Sequence, residues 1–167
     1  MGNVDDRSMM AATVFPPSAK ALAPFAIRVT SSDMAVRDAL TGILQALAPL
    51  GLDVEESGTV ELVLAEALNN IIEHAYAPVT TAGPIIIHGD HRPDGLHFQI
   101  KDHGKAMPDG QAPLGKAQNV AVNLEDMPEG GFGWFIIRDL AKDVQYRRIG
   151  EENQLDLRLA VAMQRSN

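Results

Sequence analysis

Cysteine is absent from the chain, so disulfide bonds, thiol chemistry and zinc sites with cysteine ligands are excluded together. No apolar run approaches the ~20 residues that a membrane-spanning helix needs. The N-terminus also lacks the basic segment and apolar core of a secretory signal. We therefore expect a cytoplasmic protein that has no membrane partner.

Positive charge is scarce as well, because 14 Lys and Arg stand against 22 Asp and Glu, which gives a formal net charge of −8. The basic residues form no run along the chain. A surface for DNA or RNA needs a basic stripe that displaces counterions from the phosphates. We therefore expect no nucleic acid among the ligands.

The length of 167 residues and the hydrophobic share of 46% suit one compact domain with a single core. Residues 1–24 mix small, polar and proline residues without periodicity, so we expect a flexible N-terminal tail there. The folded domain is expected to cover residues 25–162.

Hydrophobic periodicity and turn residues predict an alternation of strands and helices. Glycine, proline and short polar residues fill positions 102–129, which predicts a long binding loop or lid. The sum is an α+β fold, a two-layer α/β sandwich with helices on one face of a mixed, mainly antiparallel sheet. The predicted strands are residues 25–30, 84–89, 95–101, 143–148 and 154–160, and the predicted helices are residues 34–48, 53–76 and 132–141.

The most informative segment is the predicted helix that carries Glu66, Asn70 and His74. These residues are four apart, so they form one polar line beside the apolar face of the helix. Asparagine in mid-helix is unfavourable for helix stability, which suggests another reason for its presence. A carboxylate and an amide oxygen together suit Mg²⁺ and a general base. A solvated stripe on a surface helix would give the same pattern, and this alternative stays open.

Two glycine-bearing segments flank the long loop. Asp102 and Gly104 follow a strand, where a carboxylate can accept a hydrogen bond from an amine and glycine lets a flat ligand approach the backbone. Gly130, Gly131 and Gly133 precede a helix, whose free N–H groups and dipole favour an anion. An ordinary turn and a flexible hinge are the alternatives for the two segments. No Gly-Lys-Ser/Thr follows, so the second segment is not a Walker loop.

The order of these motifs resembles the nucleotide site shared by DNA gyrase, the heat-shock chaperone ATPases, the sensor histidine kinases and the MutL repair proteins. Within that superfamily the chain is most similar to the stand-alone anti-sigma-factor serine kinases of the RsbW type. The similarity spans about residues 25–160 and implies a Bergerat-type ATP-binding fold. It is carried by residues 64–76, 130–144, 146–148 and 153–157.

The resemblance implies roles for individual residues. Glu66 matches the general base, Asn70 matches the Mg²⁺ ligand and Asp102 matches the carboxylate that reads the adenine amine. After Gly104 the segment ending at Pro108 is one residue shorter than usual in the superfamily, and Trp134 stands where leucine is usual. The residues assigned to the nucleotide site besides Glu66 are Asn70, His74, Asp102, Gly104, Met107, Gly130, Gly131, Phe132 and Gly133.

The resemblance also implies a function, with ATP and Mg²⁺ as cofactors. The expected activity is that of a protein serine/threonine kinase that phosphorylates an anti-sigma-factor antagonist and acts as an anti-sigma factor. The antagonist would be an anti-anti-sigma protein of the STAS type, a sigma factor would be a second partner, and the chain would form a homodimer. The alternative is a non-catalytic, nucleotide-dependent binding module of a partner-switching system. A histidine kinase is disfavoured, since no phosphoacceptor histidine stands in a helical hairpin ahead of the domain.

The remaining side chains of note have plainer interpretations. No histidine has the helical partner or carboxylate spacing of a zinc site, so the histidines other than His74, which is assigned to the pocket, are expected on the surface or on strand faces. Trp134 and Phe135 are expected to pack their helix on the sheet rather than to stack on a base. Arg138 is expected to be an exposed helix residue, with phosphate contact as the alternative.

Overall fold

The computed structural model describes residues 22–76, 83–113 and 132–161. Every predicted strand and helix is present in these residues, and 3-10 turns occur at Ala48–Leu50 and Pro108–Gly110. None of the described helices is long and apolar enough to cross a membrane. The elements are β1 (Phe25–Thr30), α1 (Asp33–Leu47), α2 (Val54–Asn70), β2 (Pro84–Arg92), β3 (Gly95–Asp102), α3 (Phe132–Leu140), β4 (Lys142–Ile149) and β5 (Glu152–Leu159).

The five strands form one sheet in the order β1-β2-β3-β5-β4. Helix α1 packs on β1 and on α2, and α2 packs on α3, so the helices form a layer over one face of the sheet. The predicted two-layer α+β architecture is confirmed. All four pairings that the structure describes are antiparallel, so the parallel pair implied by a mixed sheet does not occur among them.

Both long helices begin at side-chain caps that can be predicted from the sequence. The Ser32 hydroxyl accepts a hydrogen bond from the Ala35 N–H, at 3.3 Å, at the start of α1. Asp53 and Glu56 form a reciprocal capping box at the start of α2, with each carboxylate accepting from the other residue's N–H. The cap fixes where α2 begins, and hence which of its residues face the core.

The C-terminal end of α2 departs from the prediction. Instead of continuing as an α-helix to Tyr76, the chain widens into a π-helix over Ile71–Tyr76. A π turn has i→i+5 hydrogen bonds, so the four-residue repeat that holds side chains in line along an α-helix is lost there. Short π segments are often found at functional sites. Here the π turn follows Asn70 directly.

The sheet has one apolar and one polar face. The apolar residues of β2, β3 and β5 on the helix side are almost completely buried, as alternation predicts, and they form the core with α1, α2 and α3. At one end of this face two polar residues, Asp102 on β3 and Asn153 on β5, stand directly opposite each other and are also buried. Buried polar residues on an apolar face require partners, which marks this end of the sheet as chemically distinct.

The two outer strands of the sheet differ from each other. Strand β4 contains an irregularity between Lys142 and Gln145, and Asp143 within it adopts a left-handed conformation with φ of 53°. Strand β1 pairs with β2 in unbroken register from Phe25 to Thr30. The sheet therefore ends in one irregular strand and one regular strand.

Leucines on α2 allow a test of the core. Leu64 is fully buried, whereas the Leu62 side chain on the same helix is exposed. We expect Leu64→Ala to lower the free energy of unfolding by about 2–5 kcal/mol, because it removes core contacts and leaves a cavity. Leu62→Ala is the matched control and should change it by less than ~0.5 kcal/mol. Chemical denaturation of both variants measures the difference. Equal losses of unfolding free energy in the two variants would contradict the orientation of α2.

Candidate functional site

The glycine at the start of α3 lies directly against the polar residues of α2. A Cβ added to Gly133 would stand 2.5 Å from Oε2 of Glu66 and 3.4 Å from Nδ2 of Asn70. A Cβ atom essentially never lies within 3.0 Å of such an atom, so this close approach depends on the missing side chain. The structure thus brings together Glu66, Asn70 and Gly133, as the order of the motifs predicts.

Asn70 is the unusual member of this group. Its Nδ2 atom is buried, and it has no hydrogen-bond partner among the described residues. A buried amide without a partner costs free energy unless something else binds it. An amide offers either a donor or an oxygen ligand, so Asn70 fits a site for phosphate oxygens or a hard cation.

Asp102 lies at the end of β3, where only 4% of the residue is exposed. Its Oδ1 accepts two hydrogen bonds of 2.8 Å, from the Gly104 N–H and from Nδ2 of Asn153. Burial raises the pKa of this carboxyl, whereas the bonds from Asn153 and Gly104 lower it. Since Oδ1 receives both bonds, Oδ2 is the oxygen that can accept a further donor.

The first glycine segment is attached to the π turn. The Lys105 N–H donates to the Ala75 carbonyl at 2.7 Å, and a Cβ on Gly104 would stand 2.5 Å from that same oxygen. The Tyr76 hydroxyl donates to the carbonyl of Pro84 and accepts from the N–H of His103. Burial raises the pKa of the Tyr76 phenol. The π turn therefore holds the start of the loop that follows β3.

Both glycine segments thus rest on one continuous helical stretch. Gly133 contacts it at Glu66 and Asn70, and Gly104 contacts it at Ala75. At a rise of about 1.5 Å per residue, the contacts at Asn70 and Ala75 lie within about 8 Å along the helix axis. Asp102 and Glu66, which the sequence places far apart, are therefore linked to the same element.

Asn153 has no predicted role in the site, although it is the central residue beneath Asp102. It is 3% exposed, and its Nδ2 donates to the carbonyls of Gly104 and Lys105 as well as to Asp102. The signal in the sequence was the position of Asn153 in the alternation of β5. It lies on the same side of the strand, in one row with Leu155, Leu157 and Leu159, which face the core. A buried asparagine in such a row needs a complete set of partners.

Met107 is tied to the same network through its backbone. Its N–H donates to the hydroxyl of Tyr146 at 3.1 Å, and its side chain packs against the edge of the core. The Tyr146 hydroxyl in turn donates to Oδ1 of Asn153 at 2.6 Å. Met107 is therefore connected to Asp102 through Tyr146 and Asn153.

The other assigned residues are less closely placed. Side-chain exposure of His74 is 63%, and its nearest acid is Glu73 at 4.0 Å, because the π turn interrupts the line that runs from Glu66 through Asn70. Phe132 is exposed and stacks on Phe135, with ring centroids 5.9 Å apart. Gly130 and Gly131 lie outside the described residues. A contribution of His74, Gly130, Gly131 and Phe132 to the site stays a prediction.

Arg138 is half-buried, so the expectation of an exposed helix residue is wrong, and phosphate contact stays a prediction. Its guanidinium donates to the carbonyls of Ala112, Pro113 and Val144, at 2.9, 3.2 and 3.4 Å. It therefore ties the described beginning of the long loop to α3 and β4. Trp134 is 5% exposed and packs in the core, which confirms its predicted structural role.

The histidines are spread over the described residues without forming a cluster. His97 pairs with Asp94 at 2.7 Å, and His103 lies 3.8 Å from Glu152. Within residues 22–76, 83–113 and 132–161, no group of three or more His, Asp and Glu side chains is placed to hold a metal ion. Any cation at this site would therefore need ligands of another kind, such as the Asn70 amide together with phosphate oxygens.

Comparison with known proteins supports the fold. No curated protein matches the chain. The RsbU and RsbW domains of Rv1364c from Mycobacterium tuberculosis are similar in structure, with a TM-score of 0.57 and 16% identity over 83% of this chain. This chain spans 32% of that one, about a third. The histidine kinase domain of the blue-light activated histidine kinase EL346 from Erythrobacter litoralis has a TM-score of 0.49 and 17% identity, over 78% of this chain and 61% of that one.

A sequence profile gives the family itself. The profile described as the histidine kinase-like ATPase domain matches residues 29–159, which include both α2 and the two glycine segments. The superfamily that the motifs predicted is thereby confirmed. The chain belongs to the family of histidine kinase-like ATPase domains.

Proposed function

We propose that this chain is an ATP-binding protein serine/threonine kinase of the RsbW type, which phosphorylates an anti-sigma-factor antagonist and acts as an anti-sigma factor. The observation that carries the proposal is the attachment of both glycine segments to α2 and its π turn. This arrangement groups a base, an amide and a glycine at one point, and a buried carboxylate at another. Membership of the ATPase family and the fold shared with an RsbW domain support it.

In this proposal Asp102 selects the purine. The ionised carboxylate can only accept hydrogen bonds, and Oδ2 is available to the exocyclic amine of adenine. Guanine presents a carbonyl oxygen at the corresponding position, which an acceptor repels. Gly104 beside Asp102 leaves the backbone open to the flat base.

The phosphates are assigned to the other end of the site. Asn70 and Gly133 lie together there, and the N-terminal end of α3 favours negative charge. Asn70 would hold Mg²⁺ through its amide oxygen, and the ion supplies neutralisation of phosphate charge. The buried amide nitrogen that lacks a partner fits a position that becomes satisfied on nucleotide binding.

Glu66 is assigned as the general base. The hydroxyl oxygen of the acceptor serine forms a new bond to the γ-phosphorus, the bond from that phosphorus to the ADP oxygen breaks, and the serine proton moves to the Glu66 carboxylate. Such transfers depend mostly on positioning and on charge stabilisation. The close approach of Gly133 would hold this carboxylate beside the N-terminal end of α3, where the phosphates are assigned.

The partners follow from the same proposal. The substrate would be a small anti-anti-sigma protein of the STAS type, a sigma factor would bind according to the nucleotide state, and the active form would be a homodimer. The alternative function is a binding module that holds nucleotide and captures a partner without transfer. Incubation with labelled ATP and a candidate antagonist separates the two, because acid-stable phosphoserine supports the kinase and the lack of transfer supports the module.

Glu66→Gln tests the base. The amide cannot take the proton, so we expect ATP binding to persist while phosphoryl transfer falls about a hundredfold or more. Transfer of label to the antagonist measures the rate, and calorimetry with ATP measures binding. Unchanged turnover would remove Glu66 from the mechanism.

Asp102→Asn tests the purine contact. The replacement puts an amide where the carboxylate accepts from Asn153 and Gly104, so adenine loses its acceptor and the buried network loses its charge. We expect ATP binding to fall below detection in calorimetry, and we expect the preference for ATP over GTP to be lost. Tight ATP binding by a folded variant would contradict the assignment.

Gly133→Ala tests the contact between α3 and α2. The new methyl group would displace the Glu66 carboxylate, which is the end of a flexible side chain, so the fold should tolerate the change. We expect transfer to fall about a hundredfold because the base is misplaced, while the midpoint of thermal unfolding changes little. Gly58→Ala, on α2 and with nothing within 4 Å of the new Cβ, is the matched control and should keep its activity. Equal activities in both variants would disprove the contact.

A further inference from the structure

Two residues of β4, Tyr146 and Arg148, bind the side chain that supports Asp102. Nη1 of Arg148 and the hydroxyl of Tyr146 each lie 2.6 Å from Oδ1 of Asn153. Arg148 also donates to the carbonyl of Gly104 at 3.0 Å. Neither residue belongs to the helix motif or to the two glycine segments, so no role in the nucleotide site follows from those motifs.

These contacts decide which way the Asn153 amide faces. The oxygen and the nitrogen of an amide are nearly equal in shape, so their partners determine the orientation. Arginine can only donate, and therefore the atom beside Arg148 must be the amide oxygen. The NH₂ group is then directed at Asp102 Oδ1 and at the carbonyls of the first glycine segment.

The Tyr146 hydroxyl has a defined direction as well. It accepts from the N–H of Met107, so its own proton is directed at Asn153. One hydroxyl thus joins the loop after Gly104 to the amide that supports Asp102. Removing it would leave a backbone donor and an amide oxygen short of one partner each.

We propose that Tyr146 and Arg148 are positioning residues for adenine selection: by fixing the Asn153 amide, they hold Asp102 as a hydrogen-bond acceptor for the exocyclic amine. The inference rests on the proposed ATP site. If the amide turned round, its oxygen would face Asp102 Oδ1, and two acceptors would repel each other. Asp102 would then move or take up a proton, and a protonated carboxyl no longer discriminates against the carbonyl of guanine.

The charged and titratable groups around Asp102 support this assignment. Arg148 and His103 favour the carboxylate form, whereas burial opposes it. Loss of Arg148 removes one favourable charge and loosens the hydrogen bond from Asn153. The pKa of Asp102 should therefore rise in that variant, so protonation would begin at a higher pH.

A matched pair of arginines provides the test. Arg148 faces the site, whereas the adjacent Arg147 lies on the opposite face of the sheet and pairs with Asp156 at 2.8 Å. Calorimetry with magnesium complexes of non-hydrolysable ATP and GTP analogues would compare wild type, Arg148→Met, Tyr146→Phe and Arg147→Met. We expect about a tenfold loss of ATP affinity in Arg148→Met and in Tyr146→Phe, and a smaller change in their GTP affinity. Arg147→Met should keep the wild-type ratio of ATP to GTP affinity.

A pH series distinguishes positioning from a general weakening of the fold. Affinity for the ATP analogue should fall as acid protonates Asp102, and the midpoint of this fall should move to higher pH in Arg148→Met than in wild type and Arg147→Met. Arg148→Lys keeps a donor and a positive charge, so it should return the midpoint towards the wild-type value. Thermal unfolding confirms that each variant is folded, and the small change in Tyr146→Phe keeps the test independent of Arg148.

The outcomes are separable. A wild-type ratio of ATP to GTP affinity in both folded variants would overturn the inference, and so would an equal loss in Arg147→Met. Absence of ATP binding, or of a preference for ATP, in the wild-type protein would instead overturn the proposed function on which the inference rests. A lowered ratio confined to Arg148→Met and Tyr146→Phe, together with a shifted midpoint in Arg148→Met, would support it.

Discussion

Two contacts that only glycine permits organise this molecule. Gly133 lets α3 approach Glu66 and Asn70, and Gly104 lets the loop after β3 lie on the Ala75 carbonyl. Both contacts are made to α2 and its π turn, so one helical stretch sets the separation between the two glycine segments. The core residues of the same helix are among the most deeply buried in the protein. The apolar face therefore fixes the position of the polar line on the other side.

The second organising feature is a carboxylate kept in an apolar layer. Asp102 stands opposite Asn153 at the end of the buried face of the sheet, and burial disfavours its charged form. Hydrogen bonds from Asn153 and Gly104 act in the opposite direction. Such a network stabilises the fold only when every member has its partners. A buried polar group that is partly satisfied lowers stability more than an apolar residue in its place would. This explains why β4 contributes partners from outside the motifs.

Much of the fold could be predicted from the sequence, because its signals are local. The strand alternation and the Asp53 capping box identify elements from short stretches, and the structure confirms them. The π turn could not be predicted, since it depends on the tertiary contacts of Ala75 and Tyr76 with the loop after β3. For the same reason the predicted line from Glu66 to His74 is interrupted after Asn70.

The arrangement of the residues that lie in sequence motifs could be predicted. The residues that join the candidate site through pairing between strands could not. Glu66, Asn70 and Gly133 come together as the order of the motifs indicates. Asn153 can be recognised as a buried polar residue only once it is known which residues of β5 face the core. Arg138 binds backbone carbonyls that are distant in sequence, and a helical arginine pattern carries no information about such partners.

The contrast between the two outer strands has a consequence for self-association. An outer strand presents unpaired N–H and C=O groups on which a foreign strand can align. The kink at Asp143 and the charged side chains along β4 obstruct such alignment on that side. Strand β1 is short but regular, with Arg28 as its one charged residue, and no described strand covers its free edge. Concentrated solutions of the protein should therefore aggregate, if at all, through the end of the sheet that carries β1.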